Sequence, residues 1–187
     1  MKIKVLILTL ILSIVLIGGC TPKETPAPAP DPIPEAPSSE DLDTEGPDVV
    51  TTPSIATNED ELQTAMSDKG TWIIILQEDM TTDKDLVLEG EFTNRDVIAR
   101  KIALYAQDAE RKKTATYTLT APKLTVRSEN ARIQGGTFVG DVFVEANGFA
   151  VVDAKVQGNV TFASEEFKSS FVTEDDGTVT GTTEVKK

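Results

Sequence analysis

The stretch Leu124–Ala163, LTVRSENARIQGGTFVGDVFVEANGFAVVDAKVQGNVTFA, decides the fold. Written in blocks of eighteen from Leu124, its apolar columns agree. Leu124, Val142 and Val160 fall together, as do Val126, Val144 and Phe162, and then Ala131, Phe149 and Phe167. Ile133 with Val151 and Phe138 with Val156 repeat once. The turn columns agree too, with Gly140 over Gly158 and Asp141 over Asn159. A fixed period carrying short β-type runs is the signature of stacked repeats.

In the block Val142–Asn159, Val142 and Val144 alternate with Phe143 and Glu145, as in a half-buried strand. Asn147-Gly148 tolerates positive φ and marks a corner. Phe149 and Val151 make a second inward pair, Val156 a third wall, and Gly158-Asn159 turns the chain back to Val160. Eighteen residues at ~3.3 Å each give a circuit of roughly 60 Å, suited to a flattened coil whose neighbours pair in parallel. One such coil cannot bury its own apolar face, so about three or more must stack. An antiparallel sandwich also alternates, but it does not require Val139-Gly140-Asp141-Val142 to return as Val156-Gln157-Gly158-Asn159-Val160. The expected fold is all-β: a short, single-stranded parallel β-solenoid of ~18 residues per coil.

At the other end of the chain, Lys2 and Lys4 precede an almost wholly apolar run, Val5–Ile17, too short for a comfortable membrane span. It closes on Leu16-Ile17-Gly18-Gly19-Cys20, and Cys20 is the single cysteine of the chain. This resembles the lipobox of bacterial lipoprotein signal peptides. The resemblance implies cleavage between Gly19 and Cys20, a diacylglyceryl group on the Cys20 sulfur, and a mature protein held at the outside of the cell membrane. Residues 1–19 are then the signal peptide. A lone cysteine also excludes an intramolecular disulfide.

Residues 20–53 carry nine of the ten prolines and eight acids against one base, Lys23. Such a composition has little apolar surface to bury and reads as an extended, disordered spacer.

The remainder, residues 54–187, is long enough for one core. Asn58 followed by Glu61, with Glu59 and Asp60 between, is a helix start, and Leu62, Ala65 and Met66 give the helix an apolar face. Gly70 suits its stop, and Thr71–Leu76 reads as a strand buried on both faces. A short amphipathic helix before the first strand is where a cap belongs. Asn58-Glu59-Asp60-Glu61-Leu62-Gln63-Thr64-Ala65 followed by Trp72-Ile73-Ile74-Ile75-Leu76 resembles the opening of pectate-lyase-like β-helix proteins. That resemblance covers about twenty residues and implies a right-handed β-helix with an N-terminal capping helix.

Leu86–Phe92 and Ile102–Ala106 read as early coils, with Leu86 and Leu104 again eighteen apart. The charged run Gln107–Lys113 reads as a loop leaving the stack, and Tyr117-Thr118-Leu119 as the return to strand. After Phe171 the register blurs, Glu174-Asp175-Asp176-Gly177 lengthens a turn, and Thr178–Val185 is the last strand. Residues 124–181, with their paired Val-Gly-Asp-Val and Val-Gln-Gly-Asn-Val units, resemble bactofilins, polymer-forming bacterial β-helix proteins. The resemblance implies self-association; the signal, the acidic spacer and the capping helix are departures from that family.

Histidine is absent, which removes the commonest general base and the imidazole metal ligand. Ser-His and Cys-His nucleophile systems are excluded with it. Carboxylates and basic residues remain. Polysaccharide lyases built on β-helices use carboxylate-bound Ca2+ with an Arg or Lys base, and the matching residues here are Asp141, Glu145 and Asp153 with Arg127, Arg132 and Lys155. At outward solenoid positions the stronger reading of the same residues is solvated faces and ladders, with Asp141 over Asn159 as a turn ladder; Asp141, Glu145 and Asp153, with Phe143, are then candidates for surface binding, and no residue is assigned to catalysis. Phe143, outward on its strand, adds an aromatic surface for a sugar. Net charge is −13, of which −8 falls on residues 54–187, and so acidic a surface excludes nucleic acid as a partner. The sequence therefore points to a non-enzymatic, lipid-anchored extracytoplasmic protein with no cofactor other than a Ca2+ ion that so acidic a surface could take, whose partners are the membrane through Cys20 and a cell-envelope glycan or protein. A carbohydrate-active β-helix enzyme and a bactofilin-like self-assembling element are the alternatives.

Overall fold

The computed structural model describes residues 52–187. The expectations for the signal peptide, for Cys20 and for nearly all of the spacer lie outside the described residues.

Strand β1 (Ser54–Ala56) leads into helix α1 (Glu59–Met66). Asn58 caps the helix: its Oδ1 accepts the Glu61 N–H at 2.9 Å, while the Glu61 carboxylate reaches back to the Thr57 N–H at 2.9 Å. This is the reciprocal bonding of a capping box, shifted one residue outward. Those Thr57 bonds hold the Glu61 carboxyl below its ordinary range. Leu62, Ala65 and Met66 are buried, as the apolar spacing requires. The helix ends at Met66 with Ser67 as C-cap, three residues before Gly70.

Then follow β2 (Ile73–Leu76), β3 (Met80–Thr81), β4 (Leu86–Leu88), β5 (Thr93–Asn94), β6 (Val97–Ile98) and β7 (Arg100–Ala103). The middle of the chain forms β8 (Tyr105–Gln107), β9 (Lys113–Thr116), β10 (Thr118–Val126), β11 (Ala131–Gln134) and β12 (Thr137–Val144). The last part forms β13 (Ala150–Val152), β14 (Lys155–Gln157), β15 (Val160–Phe162), helix α2 (Glu165–Ser169), β16 (Val172–Glu174), β17 (Thr178–Val179) and β18 (Thr183–Val185).

Apart from two hairpins, every strand pairing is parallel. One sheet runs β1-β2-β7-β11-β13-β16. A second runs β17-β14-β12-β10-β3, with β4 also on β10, and β15 on both β12 and β18. The long strands β10 and β12 each offer two sets of partners because they bend. In β10 the bend is a bulge between Thr120 and Lys123 that accommodates Pro122. Opposite it, Gly140 has φ +142°, and a Cβ there would overlap the Ala121 carbonyl oxygen. One layer on, a Cβ at Gly158 would overlap the Gly140 carbonyl. The Gly column read from the repeat thus marks where successive backbones approach too closely for a side chain.

The inward columns of the repeat exist. Leu88, Val126, Val144, Phe162 and Val185 stand in one register, the first four fully buried. Leu86, Leu124, Val142 and Val160 form a second, and Ile74, Ile102, Ile133 and Val151 a third. Three expectations need correction. Phe167 does not stack on Phe149. Four extra residues enter as α2, and it is Phe171 that lies against Phe149, with ring centroids 5.7 Å apart. Leu86 and Leu104 are not register partners, since Leu86 pairs with Leu124 and their eighteen-residue spacing is coincidental. Thr71–Leu76 is not buried on both faces, because Ile73 and Ile75 face outward and are half-exposed.

One end of the stack is covered by α1, with Leu62, Ala65 and Met66 joining the core. The other carries the short strands β16, β17 and β18, over which Phe167, Phe171, Val179 and Val185 are partly buried.

Candidate functional site

The sequence-derived residues divide between separate places. Asp141 and Phe143 point outward from β12, and Glu145 follows its end. Each is already engaged. Asp141 Oδ1 accepts the Asn159 N–H at 2.9 Å and its side-chain amide at 3.0 Å, and Asn159 Oδ1 in turn accepts the Thr182 N–H at 3.0 Å. This is the turn ladder that Asp141 over Asn159 implied. Glu145 accepts from Arg127 Nε at 3.0 Å, and Arg127 Nη1 donates to Glu89 at 3.3 Å. The Glu145 bond, then the Glu89 bond, raises the Arg127 pKa above its ordinary value. Lys186 Nζ lies 5.2 Å from the centre of the Phe143 ring, so that face is partly covered.

Asp153 is elsewhere, in a left-handed turn (φ +47°) between β13 and β14, bonded to Lys113 Nζ at 2.6 Å. Lys155 sits on β14. Arg132 sits on the other sheet, on β11. The six residues therefore do not converge. Among the described residues there is no group of three or more Asp, Glu, His or Cys side chains placed to hold a metal ion.

A different surface is concave. The outer face of the six-stranded sheet carries two columns. One is Ile73, Lys101, Arg132, Ala150 and Val172; the other is Ile55, Ile75, Ala103, Gln134, Val152 and Glu174. The two hairpins among the described residues flank β7 on this face. The first, β5–β6, turns through Arg95 and Asp96, both at positive φ (53° and 63°), and directly precedes β7. Such a two-residue turn matches the twist of its strands. The second, β8–β9, directly follows β7. It is closed by Asp108, whose N–H donates to the Lys112 carbonyl at 2.9 Å.

Val97 and Ile98 of the first hairpin wall a groove of about 500 Å³ floored by Arg132, Ala150 and Val172. Tyr105 and Ala106, at the start of the second, wall a groove of about 240 Å³ floored by Ile73, Ile75 and Ala103. Lys101 stands in register between Ile73 of one groove and Arg132 of the other. Its Nζ donates to the Tyr105 hydroxyl at 2.8 Å and lies 5.0 Å from that ring's centre.

Among the described residues, the large apolar side chains that remain exposed, Val97 (62%), Ile55 (48%), Val172 (45%) and Ile98 (38%), are all on this face or its first hairpin. By contrast, at the ends of β4, β10 and β12 of the other sheet stand Glu89, Arg127 and Glu145, with Arg127 paired to both carboxylates. The charged loop Gln107–Lys113 was expected from the sequence, and it is the second hairpin's tip. The first hairpin was not expected. Its signal was Asn94-Arg95-Asp96, turn-forming residues between β-prone pairs.

The first hairpin also supports the fold. Arg100 is fully buried beside it, with its guanidinium 4.1 Å from the Phe92 ring centre. Arg100 Nη2 donates to the carbonyls of Ala65 (2.7 Å) and Ser67 (2.9 Å), and Nη1 to that of Thr71. No carboxylate accompanies it, and burial pushes its pKa down to about 10. The carbonyls at the C-terminal end of α1 carry partial negative charge and take that place.

No family model, no curated protein and no solved structure matches the chain.

Proposed function

We propose that the chain is a lipid-anchored, extracytoplasmic, non-enzymatic protein that presents a short right-handed β-solenoid as a binding surface. The parallel registers support the solenoid, since each chain segment pairs with those one circuit before and after it. The observation that carries the binding role is the hairpin-walled outer face of the six-stranded sheet. Both hairpins border that face, and the exposed aliphatic side chains of the described residues lie on it or on its first hairpin. The acidic, proline-rich composition of residues 20–53, read as a spacer, fits a presented surface.

The lyase alternative draws no support from the geometry. Asp141, Glu145 and Asp153 are each committed to a structural partner, and Arg132 stands on a different sheet. End-to-end assembly would need an uncovered apolar end, and α1 covers one. The chain should neither depolymerise acidic or neutral polysaccharides nor release new reducing ends, with or without Ca2+. Turnover that is lost in Asp141→Asn or Asp153→Asn would overturn the non-enzymatic reading. Cys20→Ser should abolish fatty-acid labelling and release the protein from membranes; a variant that still incorporates label would remove the anchor.

A further inference from the structure

The geometry points to an extended peptide as the occupant of this face, one that carries a carboxylate flanked two residues away on each side by aliphatic side chains. The inference rests on the reading of the face as a binding surface. Three observations carry it: a charge without a partner, a spacing, and the character of the apolar groups.

Lys101 and Arg132 are register neighbours, so their backbones are about 4.8 Å apart. Among the described residues neither lies within ion-pair distance of a carboxylate, whereas Lys84, Lys113, Lys123 and Arg127 each do. Lys101 has only the neutral Tyr105 hydroxyl, and Arg132 is half-buried without a side-chain hydrogen bond. Two adjacent cations on an acidic protein form a local site for one carboxylate, which Arg can take in bidentate fashion. Glu174, the other charge of the first groove, lies in the second column at the far end, opposite Val152. It repels an acid there and favours the middle.

The spacing then fixes the pattern. Along the first column the order is Ile73, Lys101, Arg132, Ala150, Val172. At about 4.8 Å per strand, the midpoint of the two cations is about 7 Å from Ile73 on one side and from Ala150 on the other. An extended peptide laid along this column turns every second side chain toward the sheet, at intervals of about 6.6–6.8 Å. A carboxylate between the cations thus sets the side chains two residues away over Ile73 and over Ala150. The Ala150 site is widened into a pocket by Val172, Val97 and Ile98.

The groups on offer favour a peptide over a glycan. Sugars stack on open aromatic faces, but the exposed groups here are aliphatic. The one ring bordering the grooves, Tyr105, is held at its hydroxyl edge by Lys101 Nζ, and a lone ring offers a sugar little.

The test uses the full chain in detergent micelles and two fluorescein-labelled probes, Ala-Val-Ala-Glu-Ala-Val-Ala and its Gln counterpart, with binding followed by anisotropy. The Glu peptide should bind at least tenfold more tightly than the Gln peptide and weaken as salt rises. Lys101→Glu with Arg132→Glu should cost at least tenfold, and Val97→Asp a similar factor. Arg132→Gln, a milder change that keeps the fold, should cost about threefold to tenfold. Lys155→Glu, on the other sheet, should leave binding unchanged. Equal binding of the two peptides, or indifference to the Lys101 and Arg132 changes, overturns the inference. So does protection of these residues by an oligouronate but not by the Glu peptide, which leaves the binding-surface reading standing with a different ligand. Enzymatic turnover would defeat that reading without bearing on peptide affinity.

Discussion

Replacing Arg100 by alanine should cost the fold about 4 kcal/mol, which follows from its surroundings. The guanidinium serves three buried carbonyls, those of Ala65, Ser67 and Thr71. A hydrogen bond to a charged group contributes about 1.5–3 kcal/mol, so the three together contribute about 6 kcal/mol. A desolvated cation over an aromatic ring adds about 1–2 kcal/mol through Phe92. Against this stands the cost of burying the charge. Burial pushes its pKa down from the ordinary arginine value to about 10, which corresponds to a burial cost of about 3 kcal/mol. The balance, about 4 kcal/mol, is a large share of the stability of a domain of this size, and should lower Tm by roughly 15 °C. The lysine variant keeps the charge but lacks the planar fork, so it should recover less than half of the loss. Urea unfolding followed by Trp72 fluorescence measures it, because Trp72 is the single tryptophan and adjoins Thr71. Hydrogen exchange should show Glu59–Met66 opening before β10 and β12. If Arg100→Ala unfolds within about 1 kcal/mol of the parent, the carbonyls find other partners and the reasoning fails.

Two further outcomes test the interior. Val144 is fully buried between Val126 and Phe162, so Val144→Asp places an unpaired charge in the core and should cost several kcal/mol, read as loss of the cooperative melt. Gly140→Ala should cost about 2–3 kcal/mol from the φ of +142° and the overlap with the Ala121 carbonyl, whereas Gly148→Asn, at φ +76°, meets first the movable end of the Asn130 side chain, with the Asn130 Cα at 3.2 Å, and should cost less. Equal melting temperatures for the two glycine variants would contradict the account of the corner.

The strand stacking was legible because a buried column repeats its demand at every layer: Val126, Val144 and Phe162 meet the same apolar neighbours. The Gly and Asp/Asn columns were legible for the same reason, since close approach recurs wherever the chain turns in register. Legibility ended where the period broke. Helix α2 adds four residues, and a fixed offset then assigned Phe167 to the place Phe171 occupies. The first part of the stack, with both hairpins inserted, has no constant offset. The chance spacing of Leu86 and Leu104 therefore looked like register.

The hairpin-walled face was harder still. Asp141, Glu145 and Asp153 drew attention as carboxylates, but a sequence does not show that Asn159, Arg127 and Lys113 are within hydrogen-bond reach of them. Lys101 and Arg132, thirty-one residues apart in the chain, become neighbours only through the pairing of β7 with β11. Arg100 gave no sign of burial at all, since arginine in a strand is ordinarily read as an outward side chain.

The two hairpins leave and rejoin the stack on either side of β7, each between strands whose pairing partners lie elsewhere. Their tips can lengthen, shorten or change composition while the parallel ladder beneath keeps its alignment, because closing a somewhat longer loop costs only about 0.6 kcal/mol per doubling. On the proposed reading, the hairpin tips set the apolar walls of the grooves, while Lys101 and Arg132 in the ladder itself supply the charge. Variation confined to residues 94–97 and 107–113 would then change which aliphatic side chains fit while the paired cations and the ladder stay in place.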